Sequence, residues 1–420
     1  MTPPTAHQPS HPVATRQQPR QPGHAMNHLP ELRATPVTWA DPARAQAFAA
    51  WLQSIATPHG LAPASTRLAS ADASFRRYFR IDKAAGGSCI IMDAPPDKED
   101  CHPFVKVAGL MADAGLPAPR VLAWNKAAGF MLLSDLGAQT MMEVIAPSPA
   151  VDAITQATQT HHALYMQAVD ALVRWQLSSK PDVLAPYDDA LLSRELALFP
   201  DWYVAQHRSF VLSSAQQAVL DSAFEQIKAS NLQSLGGARV FVHRDYMARN
   251  LMAPTLVAAR TSLPPEGAHF PRGGPSENIL TMPHTAYGLG ILDFQDAVYG
   301  PITYDIASLM RDAFLTWEED FVLDITIRYW QQARKAGLPV GDDFGEFYRA
   351  VEWMGLQRHL KILGIFARLT LRDGKPRYLA DTPRFIKYVR ATAARYRQLG
   401  PLMVLLDAME GNETRVGYTF

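Results

Sequence analysis

Hydrophobic and polar positions change their rhythm several times along this chain. Up to residue 36 the sequence is rich in Pro, Gln, His, Thr and Ser, with neither a strand nor a helix period, and it reads as a disordered extension. Order should begin at Asp41-Pro42, an N-cap followed by proline at the first helical position, from which Ala49, Trp51 and Leu52 mark an amphipathic helix running to Ile55. Three short runs follow at Arg67–Ser70, Tyr78–Ile81 and Cys89–Met92, separated by turns at Asp72-Ala73-Ser74 and Gly86-Gly87. Their β-branched, aromatic and small residues predict strands. Asp97-Lys98-Glu99-Asp100 opens a helix, since acids suit a helix N-terminus. Phe130-Met-Leu-Leu-Ser-Asp135-Leu-Gly137 then reads as a buried strand that breaks at the glycine.

Beyond residue 137 the period lengthens to three and four. Helices are predicted over 160–178, 189–207 and 214–231, the first carried by Ala163, Met166, Val169, Leu172 and Trp175. Strands return at Arg239–Val242, Leu251-Met252 and Leu289–Asp293, and Thr303 caps a helix through Met310. Helices over 317–337, 343–368 and 382–409 complete the chain. Strands first and helices afterwards give an α+β fold of two lobes: a small lobe and hinge over 37–137, and a helical lobe over 138–410 with a short tail at 411–420. The Pro- and Gly-rich segment 253–287 follows neither period and reads as a mobile, non-catalytic insertion between two strands. Met26 offers a second start, which would make the first 25 residues an upstream extension.

With 420 residues and 48% of them hydrophobic, the chain can bury a core in each of two lobes. Forty basic residues balance forty acidic ones, which removes any bulk electrostatic case for nucleic acid or an anionic membrane and favours a small-molecule substrate. The two cysteines, Cys89 and Cys101, are too few for a disulfide framework, so a reducing cytoplasm is the expected setting. No run approaches the roughly 18 apolar residues of a spanning helix. A monomer without membrane or nucleic-acid partners is the expectation.

The chemistry concentrates in Phe241-Val-His-Arg-Asp245-Tyr-Met-Ala-Arg-Asn250-Leu-Met252, a polar loop bordered by two apolar strands. A further strand ends on Asp293, so two strand ends side by side would converge Asp245, Asn250 and Asp293. A hard ion such as Mg²⁺ takes oxygen ligands and is held by one or two carboxylates plus substrate phosphates. Asn250 and Asp293 would supply those oxygens, leaving Asp245 to accept the proton of an attacking hydroxyl, the division of labour of kinase-type phosphoryl transfer from ATP. The competing reading is a solvated loop followed by an unrelated strand.

The pattern H-R-D-x-x-x-x-N followed by D-F-Q-D resembles the aminoglycoside/choline phosphotransferase branch of the kinase-like enzymes. Asp72-Ala-Ser-Phe-Arg-Arg-Tyr-Phe-Arg80, Met92-Asp-Ala-Pro-Pro96, Leu132-Leu-Ser-Asp-Leu-Gly137, Gly300-Pro-Ile-Thr-Tyr-Asp305 and Gln357-Arg-His-Leu-Lys-Ile-Leu-Gly-Ile-Phe-Ala-Arg-Leu369 are more similar to the bacterial kinases that phosphorylate the anomeric hydroxyl of N-acetylmuramate and N-acetylglucosamine in cell-wall recycling. The resemblance implies a bilobal protein-kinase-like fold with ATP between a five-stranded small lobe and a helical large lobe. It implies that backbone groups at Asp135, Leu136 and Gly137 meet the adenine edge, with Met131 and Leu133 lining or supporting the pocket. It makes His243 and Asp305 supports of the catalytic loop.

The turn at Ser74 occupies the place of a Gly-rich phosphate loop without being Gly-rich. The third strand lacks the usual phosphate-pairing lysine, so Arg77, with Arg76 or Arg80, is the candidate replacement. The partner of that lysine, normally a Glu on the following helix, is in doubt with it. For the sugar, the candidates are Glu195, Asp201 and Asp296, whose carboxylates suit hydroxyls, and Arg358 and Lys361, whose charge suits a lactyl carboxylate. A solvated basic stripe is the alternative for the last two. Another acceptor hydroxyl (choline, homoserine or an aminoglycoside) and a nucleotide-binding pseudokinase remain the competing readings.

Overall fold

The computed structural model describes residues 37–71, 75–145, 153–254 and 288–411. The N-terminal extension, the turn carrying Ser74, residues 255–287 of the insertion and the tail past residue 411 lie outside them.

Five strands make one antiparallel sheet: β1 (Arg67–Ala71), β2 (Arg77–Asp82), β3 (Ser88–Asp93), β4 (Val121–Asn125) and β5 (Phe130–Ser134), in the order β1-β2-β3-β5-β4. The two-residue period sorts Phe79, Ile81, Cys89, Ile91, Phe130 and Leu132 to one face and Met92, Met131 and Leu133 to the other. Helix α1 (Pro42–His59) covers the first face through Phe48, Trp51 and Leu52. Asp41 starts it by accepting the Ala43 N–H at 2.9 Å, and Gly60 ends it in the left-handed region. Phe130 sits at the centre of that packing, 5.5 Å from both Phe48 and Trp51, ring to ring. Burying each such ring stabilises the fold by about 1.5–3 kcal/mol. The second face shares a core with α2 (His102–Asp113) and with the rest of the chain.

The large part is helical: α3 (Met141–Ile145), α4 (Ala153–Leu177), α5 (Asp189–Leu198) and α6 (Ser214–Gln233) come first. Two antiparallel ribbons follow, β6 (Arg239–Val242) with β9 (Val298–Pro301), and β7 (Leu251–Met252) with β8 (Gly290–Ile291). Helices α7 (Tyr304–Met310), α8 (Glu319–Lys335), α9 (Phe344–Leu371), α10 (Thr382–Arg395) and α11 (Gly400–Glu410) close the chain. Every residue of α9 from Ala350 to Gly364 is buried, so this helix is covered on all sides and forms the axis of the lobe. No helix among the described residues is long and apolar enough to cross a membrane.

Several expectations change. The helix expected from Asp97 starts at His102; the acids precede it, and Asp100 accepts the His102 N–H at 2.9 Å. The helix expected over 189–207 widens into a π-helical turn at Phe199–His207, because Pro200 has no N–H to bond back to Leu196. The helix expected over 382–409 is two, parted by an extended Tyr396 and restarted at Gly400-Pro401. Leu289–Asp293 pairs only at Gly290–Ile291, and Thr303 makes no side-chain cap. Strands β4 and β9, both short, were not visible in the sequence pattern.

At Gly364 the backbone of α9 lies close against that of Leu198: a Cβ there would lie 2.2 Å from the Leu198 carbonyl oxygen. Gly109, exposed on α2, has nothing within 4 Å of the same position. Gly364→Ala is therefore expected to lose about 1–3 kcal/mol to overpacking despite the better helix propensity of alanine, whereas Gly109→Ala gains up to about 1 kcal/mol. Urea unfolding of the two variants measures this; a Gly364→Ala protein as stable as Gly109→Ala would contradict the packing.

Candidate active site

Because β6 pairs with β9 and β7 with β8, the loop 243–250 and the loop 292–297 leave the two ribbons at the same place. Asn250 joins them. Its Nδ2 donates to the Asp245 carbonyl at 2.9 Å and to Asp293 Oδ2 at 3.2 Å, while Leu292 N–H donates to the Asn250 carbonyl at 2.9 Å. Gln295 Nε2 donates to Asp293 Oδ1 at 2.9 Å. The Asp245 carboxylate is half-buried, and no group among the described residues hydrogen-bonds to it.

The loop has no strand partner, so its polar groups are satisfied by side chains. Asp305, fully buried in the first turn of α7, accepts the His243 N–H at 2.7 Å and the Arg244 N–H at 3.0 Å. Burial pushes its carboxyl above the usual range, against His243 and those two N–H groups. His243 Nε2 meets the Leu292 carbonyl at 2.9 Å and Nδ1 meets the Asp245 N–H at 3.3 Å, which requires the neutral Nε2–H tautomer. Burial lowers the His243 pKa and so favours that neutral ring. Asp312, also buried, accepts the Ala248 N–H at 3.2 Å, and Tyr246 donates to the Ala168 carbonyl at 2.7 Å. Asp312 and Tyr246 were missed by the sequence reading; their only signal was a polar atom at an otherwise apolar position. Arg244 and Asp293 lie at φ +77° and +63°, at a cost of roughly 1–3 kcal/mol each.

The other expected site residues fall elsewhere. Ser74 lies outside the described residues. Arg77 is a correction: with Phe79 and Ile81 it faces α1, where its guanidinium bonds Asp93 at 2.7 Å beside Arg44 and lies over the Trp39 ring. The strand alternation turns it away from the side that carries Tyr78 and Met92. Arg76 pairs with Glu99 at 3.0 Å, and Glu99 also takes the Phe75 N–H at 3.2 Å. Arg80 is bound at the hinge, to Asp135 at 2.6 Å and to the Gly137 carbonyl at 2.5 Å. Gly137 N–H donates to the Asp135 side chain at 3.0 Å, so both main-chain groups of Gly137 are engaged within the protein, while Leu136 lines Gly290 of β8.

Glu195 is buried rather than open to a ligand: Lys361 at 2.7 Å, Arg244 at 2.5 Å, Tyr187 at 2.8 Å and Gln357 at 3.0 Å all donate to it. Lys361 and Arg358 form no solvated stripe. Arg358 is fully enclosed, donates to the Arg244 carbonyl at 2.7 Å and lies over the Tyr304 ring. Asp201 is exposed on the π-helical turn, and Asp296 is exposed beside Arg244, its carbonyl taking Arg244 Nη1 at 3.3 Å.

A kinase-like phosphotransferase is the class that this loop and these two ribbons define. A family profile described as "Phosphotransferase enzyme family" matches residues 65–255 and 276–342, and the chain belongs to that family. The N-acetylmuramate/N-acetylglucosamine kinase of Pseudomonas aeruginosa is 43% identical to it over 88% of this chain and 98% of that protein. The protein of the same name from Neisseria meningitidis is 41% identical over 88% of this chain and 97% of that one. Among solved structures, a choline/ethanolamine kinase family protein from Mesorhizobium loti superposes with a TM-score of 0.51 at 14% identity, covering 87% of this chain and 99% of that one. An amicoumacin kinase in complex with AMP-PNP and Ca²⁺ superposes with a TM-score of 0.50 at 15% identity, over 83% and 96%. The fold is thus the bilobal kinase-like α+β fold.

Burial raises the Glu195 carboxyl, but Lys361 and Arg244 outweigh it and hold the group at about 2, against an ordinary value of 4.5. The native state therefore keeps Glu195 ionised where the unfolded chain already binds a proton. Its contribution to stability is complete above about pH 4.5 and is lost as the pH falls toward 2. Wild type is expected to lose stability across that window more steeply than Glu195→Gln. Chemical denaturation at pH 5, 4 and 3 compares the slopes; equal slopes would contradict the buried ion pair.

Proposed function

We propose that the protein transfers the γ-phosphoryl group of ATP to the anomeric (C1) hydroxyl of N-acetylmuramate and N-acetylglucosamine, giving the α-1-phosphate for sugar-nucleotide and peptidoglycan precursor recycling. The observation that carries the reading is the 41–43% identity maintained over 97–98% of relatives that bear these acceptors in their names. Residues 37–137 act as small lobe and hinge, residues 138–410 as catalytic lobe, and the enzyme works as a cytoplasmic monomer.

In this reading Asp245 accepts the C1 hydroxyl proton as that oxygen bonds the γ-phosphorus, and ADP departs with the bridging oxygen and its electron pair. An anomeric hydroxyl is more acidic than an ordinary alcohol, so a carboxylate is a sufficient base. The half-exposed Asp245, whose carboxylate receives no hydrogen bond among the described residues, is consistent with that role. The donor set suits Mg²⁺: the Asn250 amide nitrogen is used on Asp245 and Asp293, which leaves its Oδ1 as a second hard oxygen beside the Asp293 carboxylate. When bound, the ion supplies charge neutralisation on the β- and γ-phosphates. Arg76, held by Glu99, is the cation of the small lobe for the phosphates; the contact of Phe104 with Phe294, 4.9 Å between ring centres, ties α2 to the residue after Asp293. At the hinge the main chain of Asp135 and Leu136 is left for adenine. Of the acidic candidates, Asp296 is the one both exposed and next to the loop, and it takes the sugar hydroxyls.

Asp245→Asn is expected to keep the fold and lose 10²–10⁴-fold in turnover, the usual range for general acid–base help, while Asp293→Ala loses Mg²⁺-dependent nucleotide binding. Steady-state kinetics and nucleotide titration check the pair, and wild-type turnover in Asp245→Asn would remove the base. For the site of transfer, phosphorus NMR of the product should show coupling to H1 from both sugars, in one anomer, with the methyl glycoside inert. A phosphorylated methyl glycoside, or coupling to the C6 protons, would end the anomeric assignment and leave a kinase of another hydroxyl.

A further inference from the structure

We propose that Glu195, locked by Lys361, is a positioning residue that fixes the direction of Asp245 through Arg244. The inference rests on the reading of Asp245 as the base.

Arg244 is the residue before Asp245, and its left-handed backbone, at φ +77°, decides where the next side chain points. A non-glycine residue stays in that region only where its surroundings hold it there. Four contacts do so. Its N–H donates to Asp305 at 3.0 Å, its carbonyl accepts from Arg358 at 2.7 Å, and its guanidinium bonds the Asp296 carbonyl at 3.3 Å and Glu195 at 2.5 Å. The Glu195 contact, from α5, is the ion pair among them.

Glu195 has no capacity left for a sugar. One carboxylate oxygen takes Arg244 and Lys361, the other takes Tyr187 and Gln357, and its side chain is 5% exposed. Lys361 is held in turn by the Tyr304 hydroxyl at 3.2 Å, on the helix that presents Asp305. Three cations, Arg244, Arg358 and Lys361, thus crowd one side of the loop, and Glu195 is the carboxylate that bonds two of them. If Arg244, released from Glu195, relaxed out of the left-handed region, the Asp245 peptide would turn with it. A displacement of about 1 Å at a reacting group is enough to cost on the order of 100-fold in rate.

A merely structural ion pair and a positioning contact differ in what two variants do to kcat per folded enzyme. Glu195→Gln keeps an oxygen for Arg244 but leaves the buried cations short of one negative charge. Glu195→Leu combined with Lys361→Met removes a matched pair of charges but leaves Arg244, Tyr187 and Gln357 without their shared acceptor, with only the Asp296 carbonyl remaining to the Arg244 guanidinium. Both variants therefore melt below wild type, and turnover is read per folded enzyme. If Glu195 positions Asp245, Glu195→Gln keeps kcat per folded enzyme within about tenfold of wild type. The double variant loses on the order of 100-fold in kcat per folded enzyme, with KM for ATP and for N-acetylglucosamine within about threefold. If the folded double variant instead turns over as fast as folded Glu195→Gln, the positioning role is overturned. A raised KM for the sugar with kcat intact would also overturn it, in favour of direct contact with the acceptor. Asp245→Asn measured alongside reports separately on the base, since its outcome depends on neither variant.

Discussion

Two main-chain N–H groups converge on the Asp305 carboxylate, and the rest of the site is built outward from that contact. The loop 243–250 runs between two short strands and satisfies only some of its polar groups by itself. Asp305 serves His243 and Arg244, Asp312 serves Ala248, and Asn250 serves the carbonyl of Asp245. An N–H left without its partner in such a place costs about 1–3 kcal/mol, more than the loop gains from any contact of its own. Among the described residues neither carboxylate has a cation hydrogen-bonded to it. Burial raises both, so at these two carboxylates the loop is held by the direction of its N–H bonds. A loop held by directional bonds to a helix start is stiff where a loop held by apolar contact would slide.

The two parts of the molecule share one continuous core, and two contacts at their junction bear on the site. Phe294, directly after Asp293, packs on Phe104 of α2, and the same helix start carries Glu99 with Arg76. The hinge is stiffened by Asp135, which gathers Arg80, Ser88 and the Gly137 N–H onto one carboxylate. That carboxyl lies below its usual range: burial raises it, and those three partners more than compensate.

How much of this was legible depended on whether the relevant partner lay nearby in the sequence. Asp245 and Asn250 are five residues apart in one loop, and Asp293 ends an apolar run, so their convergence followed from local pattern alone. Which face of β2 looks into the molecule did not. Arg76 and Arg77 are neighbours with identical chemistry, and only the packing of α1 on Phe79 and Ile81 shows that Arg77 is spent on Asp93. Arg358 and Lys361 read as cations for a lactyl carboxylate, or else as a solvated stripe, because their partners, Arg244 and Glu195, lie 114 and 166 residues away. Glu195 looked like a free carboxylate for the same reason. The breaks at Pro200 and at Gly400-Pro401 were written in the sequence, but the apolar spacing on either side of each ran on undisturbed.

Helix α1 has a consequence for how the small sheet behaves as a solid. It closes the aromatic face of Phe79 and Phe130 and brings Arg44 to Asp93, so that the sheet is covered on both sides. A chain begun at β1 would present those rings to water beside the edge strand, the combination that lets separate copies pair along their edges. The helix is therefore what keeps this lobe from sticking to its own kind. Any shortened form meant for crystals or assays has to retain the chain from Trp39 onward, well before the first strand.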